Sequence, residues 1–327
     1  MALAFLGVVA IAFSMPAPAV HSHMPRIRPA LSATQQIAPT MSIAVPTCTS
    51  AGVATVAVAA GGITLLSQIS LWAFFQRSKD PVLNAAPGYT AHQIIALALM
   101  VLVTALGFAS WLSPPAAAAT AVGRLLAPTD SARWLGALLL GALVAWDIPT
   151  CLKIGRLRKP DMLIHHFGMA AVALIGCVWL PTRYGLYYMG VVELSSVPLA
   201  IFSWSDVAVE LAGSATDDDD PMKPSAAKRE ALRQLRDTSK AVAAVTFIGM
   251  RAVDFTRVTL TRFVPDAVSV LSMASTTLRW PIYFMIVSSV SFVGLQLYWL
   301  SLFVRISLTE RKRAKRREAK QQKKNGG

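Results

Sequence analysis

Seven apolar stretches, at about 53–75, 92–112, 134–152, 161–180, 185–204, 241–260 and 280–304, alternate with shorter polar connections along the chain. A helix rises ~1.5 Å per residue and the hydrocarbon layer is ~30 Å thick, so each stretch is long enough to span it. Mostly short connections predict that the spans form one compact, all-α polytopic transmembrane bundle. Several stretches are rich in Gly, Ala and Ser, which let helices approach closely in lipid. The earlier apolar run Ala2–Phe13 is too short to span and reads as part of a leader. The organisation expected is a leader over 1–50, a bundle over 51–308 with a polar loop at 205–240, and a basic tail over 309–327.

Composition agrees with a membrane protein: 54% of the 327 residues are hydrophobic, 15% are charged, and mean hydropathy is +0.52. The net charge of +14 does not indicate nucleic acid, because ten of the 31 Lys and Arg lie between Arg305 and Lys324, directly after an apolar span. A polybasic segment in that position is expected to anchor on an anionic leaflet. With the carboxyl terminus placed in the cytosol or its equivalent, 22 Lys and Arg fall on that side and eight on the other, in line with the positive-inside rule. The acidic run Asp217–Asp220 reads as solvated loop.

The leader leaves two destinations open. Small residues Ala17 and Ala19 offer a signal-peptidase site, and Val20–Ser50 is rich in Ser, Thr, Pro and Ala, with no acidic residue before Asp80. That layout suits a plastid reached through the secretory route. It equally suits a secretory signal followed by a lumenal tail, which places the bundle in the endoplasmic reticulum or another endomembrane.

Ionisable side chains inside spans are costly to bury and mark functional sites. Asp147 lies about one and a half turns from the basic end of the third span, and His165 and His166 lie slightly more than one turn into the fourth from the same end. Antiparallel neighbours at matching depth would let Asp147 accept a proton from one imidazole and set its tautomer. The two rings are ~100° apart, so one is expected to face the site and the other a neighbouring helix. Glu193 lies mid-span with Ser196 one turn on, and Arg251 lies mid-span in the sixth with Asp254 three residues later. Glu193, Arg251 and Asp254 are expected to form one bonded cluster, whether as a ligand site or as an ion pair fixing helix register. Tyr89-Thr-Ala-His92 opens the second span.

Other chemistries fit poorly. No metal or cofactor is expected: five histidines, two of them in the leader, are too few for a di-iron centre, and only His92 could partner the pair around haem. Cys48, Cys151 and Cys177 are too scattered for a disulfide framework, and Cys151 and Cys177 read as packing residues. No nucleotide loop, nucleophile elbow or zinc spacing occurs.

Asp147, the pair His165-His166 and Glu193-Leu-Ser-Ser-Val-Pro198 ending in Trp204 together resemble the TLC-domain family, which includes ceramide synthases, translocating-chain-associating membrane proteins and small proteins linked to membrane-lipid homeostasis. His92, Arg251 and Tyr298-Trp299 extend the resemblance over roughly 85–308. It implies that His165 or His166, oriented by Asp147, would be a general base in acyl transfer from coenzyme A to a lipid amine, with acyl-coenzyme A as co-substrate. Glu193, Ser196, Arg251, Asp254 and His92 would contact the lipid. The segment VVELSSVPLA lacks the aspartates of ceramide synthases and looks like the non-synthase branch. The first expectation is therefore a protein that binds or senses a membrane lipid in a polar-cored cavity and influences lipid composition. The alternatives are an acyl-coenzyme A dependent lipid N-acyltransferase, and a membrane chaperone or translocation-associated protein. The sequence says nothing of the oligomeric state.

Overall fold

The computed structural model describes residues 50–214 and 224–325, with no strand among them. The leader, Cys48 and the acidic run Asp217–Asp220 lie outside the described residues, as do most side chains of the basic tail.

Among the described residues, seven long helical runs make up the bundle. α1 is Ser50–Gln76 and α2 is Pro87–Leu112. α3 comprises Asp130–Ala142, a wide π-type turn at Leu143–Asp147 and then Ile148–Lys153; α4 is Pro160–Val178. α5 comprises Arg183–Met189, a tight 3₁₀ turn at Val191–Ser195 and then Ser196–Ser214. α6 runs from Ala226–Thr246 through wide turns at Phe247–Asp254 and Thr259–Phe263 to Val264–Leu271, and α7 is Thr276–Asn325. Six of these runs are long and apolar enough to cross a bilayer. α6 is not among the six, because it carries Arg251, Asp254 and Arg257 within its central turns. Connectivity nevertheless takes it across: α5 ends at one face of the bundle and α7 starts at the other. The chain is an all-α polytopic membrane protein.

Polar ties at the helix ends show which termini share a face. Arg156, in the α3–α4 connection, pairs with Glu210 near the end of α5. Trp299 near the end of the apolar part of α7 donates to Asp161 at the start of α4. Lys228 at the start of α6 pairs with Asp80, which also caps the short helix Pro81–Ala85 by accepting from the Val82 N–H. These contacts gather the basic connections on one face. On the opposite face Arg124 pairs with Asp266, and Arg183 donates to the Trp111 carbonyl.

The Asp80–Lys228 tie makes a pH-dependent contribution. Partial burial alone would raise the Asp80 carboxyl, but the Lys228 ammonium and the Val82 N–H outweigh it and hold the carboxyl below its usual value. Because the folded value is depressed, the stabilisation is present above about pH 4 and is lost as pH falls through the folded value. With the side chains of Lys228 and Asp80 37% and 30% exposed, solvent screening keeps the effect under about 1 kcal/mol. Asp80→Asn should therefore unfold slightly more readily than wild type at pH 7. The two melting curves should converge once the pH falls below the depressed folded value of the Asp80 carboxyl.

The two local breaks in α3 and α5 position the site. Pro149 has no N–H to complete the turn that precedes it, and the wide turn at Leu143–Asp147 absorbs the missing bond immediately before it. In α5 the break falls at Gly190, which packs against Gly107 of α2: a Cβ on Gly107 would sit 2.5 Å from the Gly190 Cα. Only glycine permits that crossing, and it brings the 3₁₀ turn at Val191–Ser195 into the bundle interior.

Candidate functional site: a polar-cored intramembrane cavity

Asp147 sits between two imidazoles from different helices. Its Oδ1 accepts from His92 Nε2 of α2 at 2.8 Å, and its Oδ2 pairs with His166 Nδ1 of α4. A carboxylate can only accept, so each of these ring nitrogens carries the proton. For His166 that leaves Nε2 as the remaining ring nitrogen, with a lone pair in the neutral ring. Cys151, one turn beyond Asp147, places its Sγ 3.8–4.0 Å from His166 Nδ1, Asp147 Oδ1 and His92 Nε2. Behind this group the Trp146 ring stacks on His92 at 5.0 Å. Trp146 also donates to Gln68 of α1, which in turn donates to the Gly88 carbonyl at the start of α2. Three helices thus fix one carboxylate.

A second buried group lies on α5 and α6. Arg251 donates through Nε to Ser195 Oγ at 2.7 Å, and through Nη2 to Glu193 Oε2 at 2.9 Å and Ser196 Oγ at 2.7 Å. Ser196 also donates to Glu193 Oε2 at 2.5 Å. In a 3₁₀ turn, side chains three residues apart eclipse, which is why Glu193 and Ser196 share a face. Arg251 and Glu193 are 4% and 7% exposed, so charge and countercharge are both out of water.

Both groups line one cavity of about 360 Å³. Its polar lining includes Asp147, His165, His166, Glu193, Ser196, Lys240 and Arg251. The remainder is mainly aliphatic and aromatic, with side chains such as Leu99, Met169, Phe202 and Phe303. His165 is held edge-on against Phe292 and Trp299 of α7, at 5.5 and 5.3 Å between ring centroids. Its buried Nδ1 has no hydrogen-bond partner among the described residues.

The structure brings together His92, Asp147 and His166 in one group and Glu193, Ser196 and Arg251 in another. His165 takes the expected position toward a neighbouring helix while still facing the cavity. Asp254 corrects the expectation of a three-residue cluster. It accepts from Tyr187 Oη at 2.6 Å and from the Arg257 guanidinium, and forms no hydrogen bond or ion pair with Arg251 among the described residues. Three residues of α-helix would have kept Asp254 on the Arg251 face, but the wide turn at Phe247–Asp254 advances each residue by only roughly 80°. Sequence reasoning missed Ser195, the His92–Asp147 bond and the placement of Cys151 against the imidazoles. Only the depth of His92 in its span hinted at its partner.

His92, Asp147 and Cys151 offer ligand atoms within 4.8 Å of one another, a donor set that suits a first-row transition metal. Ligands around a tetrahedral ion with ~2.0 Å bonds stand about 3.3 Å apart. The 2.8 Å contact between His92 and Asp147 is a hydrogen bond and describes proton sharing.

The TLC-domain profile matches residues 90–305, more than half of the chain. The chain belongs to the TLC-domain family. The matched region of this TLC-domain protein opens just before His92 and closes at the end of the apolar part of α7, so it contains every residue of both polar groups. No curated protein and no solved structure matches the chain.

Proposed function

We propose that this TLC-domain protein binds an amphipathic membrane lipid in the central cavity and through it influences the lipid composition of an endomembrane. The observation that carries the proposal is the division of the cavity wall. A polar end built from His165, His166, Glu193 and Arg251 meets an apolar remainder, and both are needed by a ligand with a polar group and a hydrocarbon chain. The unpartnered Nδ1 of His165 is a hydrogen-bonding position that such a polar group would fill. Full-length protein purified in mild detergent should retain lipid in native mass spectrometry. A photoreactive fatty-chain probe should label Met169 and Phe247. Ala244→Trp, which fills the cavity, should reduce both signals about tenfold; unchanged labelling in that variant would refute the cavity as the site.

One observation favours a second reading, acyl-coenzyme A dependent transfer to a lipid amine. His166 is held by Asp147 through Nδ1 on the cavity wall, which is the arrangement of a histidine general base with its orienting carboxylate. In this reading His166 Nε2 takes the proton of the attacking amine, the new bond forms at the acyl carbonyl, and coenzyme A leaves as the thiol. Labelled acyl-coenzyme A offered with a panel of lipid amines should then give product that His166→Ala abolishes. Product from none of the amines would leave lipid binding without turnover.

A further inference from the structure

We propose a second ligand site on the face opposite the basic connections, one that holds a phosphate-bearing headgroup. It is a cavity of about 490 Å³ between the end of α2, the segment 114–124 that follows it, the start of α5 and the far end of α6. Three guanidiniums, Arg124, Arg183 and Arg262, and one carboxylate, Asp266, line it.

The carboxylate is fully used. Asp266 accepts from Arg124 Nε at 2.6 Å and Nη2 at 2.8 Å, a two-point pair, and from Tyr184 Oη at 2.5 Å. Arg124 spends its remaining nitrogen on the carbonyls of Ala118 and Ala119. The hydrogen bonds of Asp266 are therefore committed to Arg124 and Tyr184; Arg262 acts on it only through space, and neither Arg183 nor Arg262 forms an ion pair with a carboxylate among the described residues.

Arg183 is the decisive residue. It is 9% exposed, its guanidinium lies over the Trp111 ring at 4.5 Å, and Nη2 donates to the Trp111 carbonyl. Its Nη1 is buried and has no hydrogen-bond partner among the described residues. A guanidinium cannot shed its proton to escape burial, so a buried N–H of this kind calls for an acceptor. Arg262, on the other side of the cavity, is exposed and makes no hydrogen bond or salt bridge among the described residues.

The site's depth selects the anion. It sits where the apolar spans Pro87–Leu112 and Arg183–Gly213 end on that face, and span ends are where a bilayer presents its headgroups. Tetrahedral phosphate oxygens match the forked donors of arginine, and a phosphodiester is the acceptor a bilayer presents at that level. The charge distribution also runs against an incidental origin: this face is the one poor in Lys and Arg, yet three of its arginines converge on a single cavity.

The test uses full-length protein, delipidated in an uncharged detergent, with thermal unfolding as the readout. Dioctanoyl phosphatidylglycerol should stabilise it saturably, and dioctanoylglycerol, which lacks the phosphate, should not. Because Arg262 is exposed, Arg262→Gln should fold normally and raise the half-saturating concentration at least fivefold. Arg183→Gln combined with it should raise that concentration at least twentyfold. Ala244→Trp, in the central cavity, should leave it unchanged. Inorganic phosphate separates the sources of the ligand. If it only competes weakly with the lipid, the ligand is a headgroup; if it saturates as tightly as the lipid, the ligand is free phosphate. Equal stabilisation by the phosphate-free lipid, or an unaltered titration in Arg262→Gln, would overturn the proposal.

Discussion

Asp147→Ala is expected to lower the unfolding free energy by about 2–3 kcal/mol, because it removes the common acceptor of two buried imidazoles at roughly 1–1.5 kcal/mol each. The loss stays below that for a broken ion pair, since histidine can remain neutral and need not strand a charge in the bundle. The origin of the loss is checked by a mutant cycle. On a His92→Ala/His166→Ala background, Asp147→Ala should cost close to nothing, because the donors it served are gone. Urea or thermal unfolding in detergent measures all four species. A cost that persists undiminished without the histidines would mean that Asp147 acts through something other than the two rings. Asp147→Asn tests the geometry separately: one carboxamide oxygen and one amino group cannot accept from both His92 Nε2 and His166 Nδ1. One imidazole must change tautomer, which imidazole nitrogen chemical shifts would register.

Much of this arrangement was legible in the sequence because it depends on depth along a span, and depth is a count of residues. Asp147 and His166 meet because both lie a similar number of turns from the same end of antiparallel helices. Glu193 and Arg251 meet for the same reason at mid-membrane. What could not be counted was rotation. The angular position of a side chain follows from depth only while the helix keeps its regular period, and α3, α5 and α6 each depart from it at the site. Asp254 was misplaced because a wide turn replaces the regular one. Ser195 was overlooked because a tight turn draws it toward Arg251 alongside Ser196. Pro149 and Gly190 are the residues where those departures begin, and they were the available local signals. The His92–Asp147 bond joins residues 55 apart, and no short-range pattern encodes it. The opposite-face cavity was hidden for another reason: its arginines come from a connection, the start of α5 and a wide turn within α6, each unremarkable on its own.

The two polar groups differ in what happens when one partner is lost, and that difference yields an asymmetric prediction. Arg251 is charged at any accessible pH, whereas Glu193 can take up a proton and become neutral. Glu193→Met therefore leaves a permanent, buried guanidinium with only Ser195 and Ser196 as acceptors, and is expected to destabilise by about 3–5 kcal/mol. Arg251→Met leaves a carboxyl that accepts a proton and keeps the Ser196 hydroxyl as partner, so about 1–2 kcal/mol is expected. The double variant Glu193→Met/Arg251→Met removes both charges and replaces them with apolar side chains of similar length. It should recover most of the stability lost in Glu193→Met, because a buried pair and a well-packed apolar pair are often close in free energy. On the proposed lipid-binding role, lipid retention should not recover with it, since the cavity lining has lost both Glu193 and Arg251. Unfolding curves and native mass spectrometry on the same four proteins separate the two roles. A stable double variant that retains lipid would reduce Glu193 and Arg251 to a register-fixing pair. A stable double variant emptied of lipid would identify the ion pair as the part of the wall that holds the ligand.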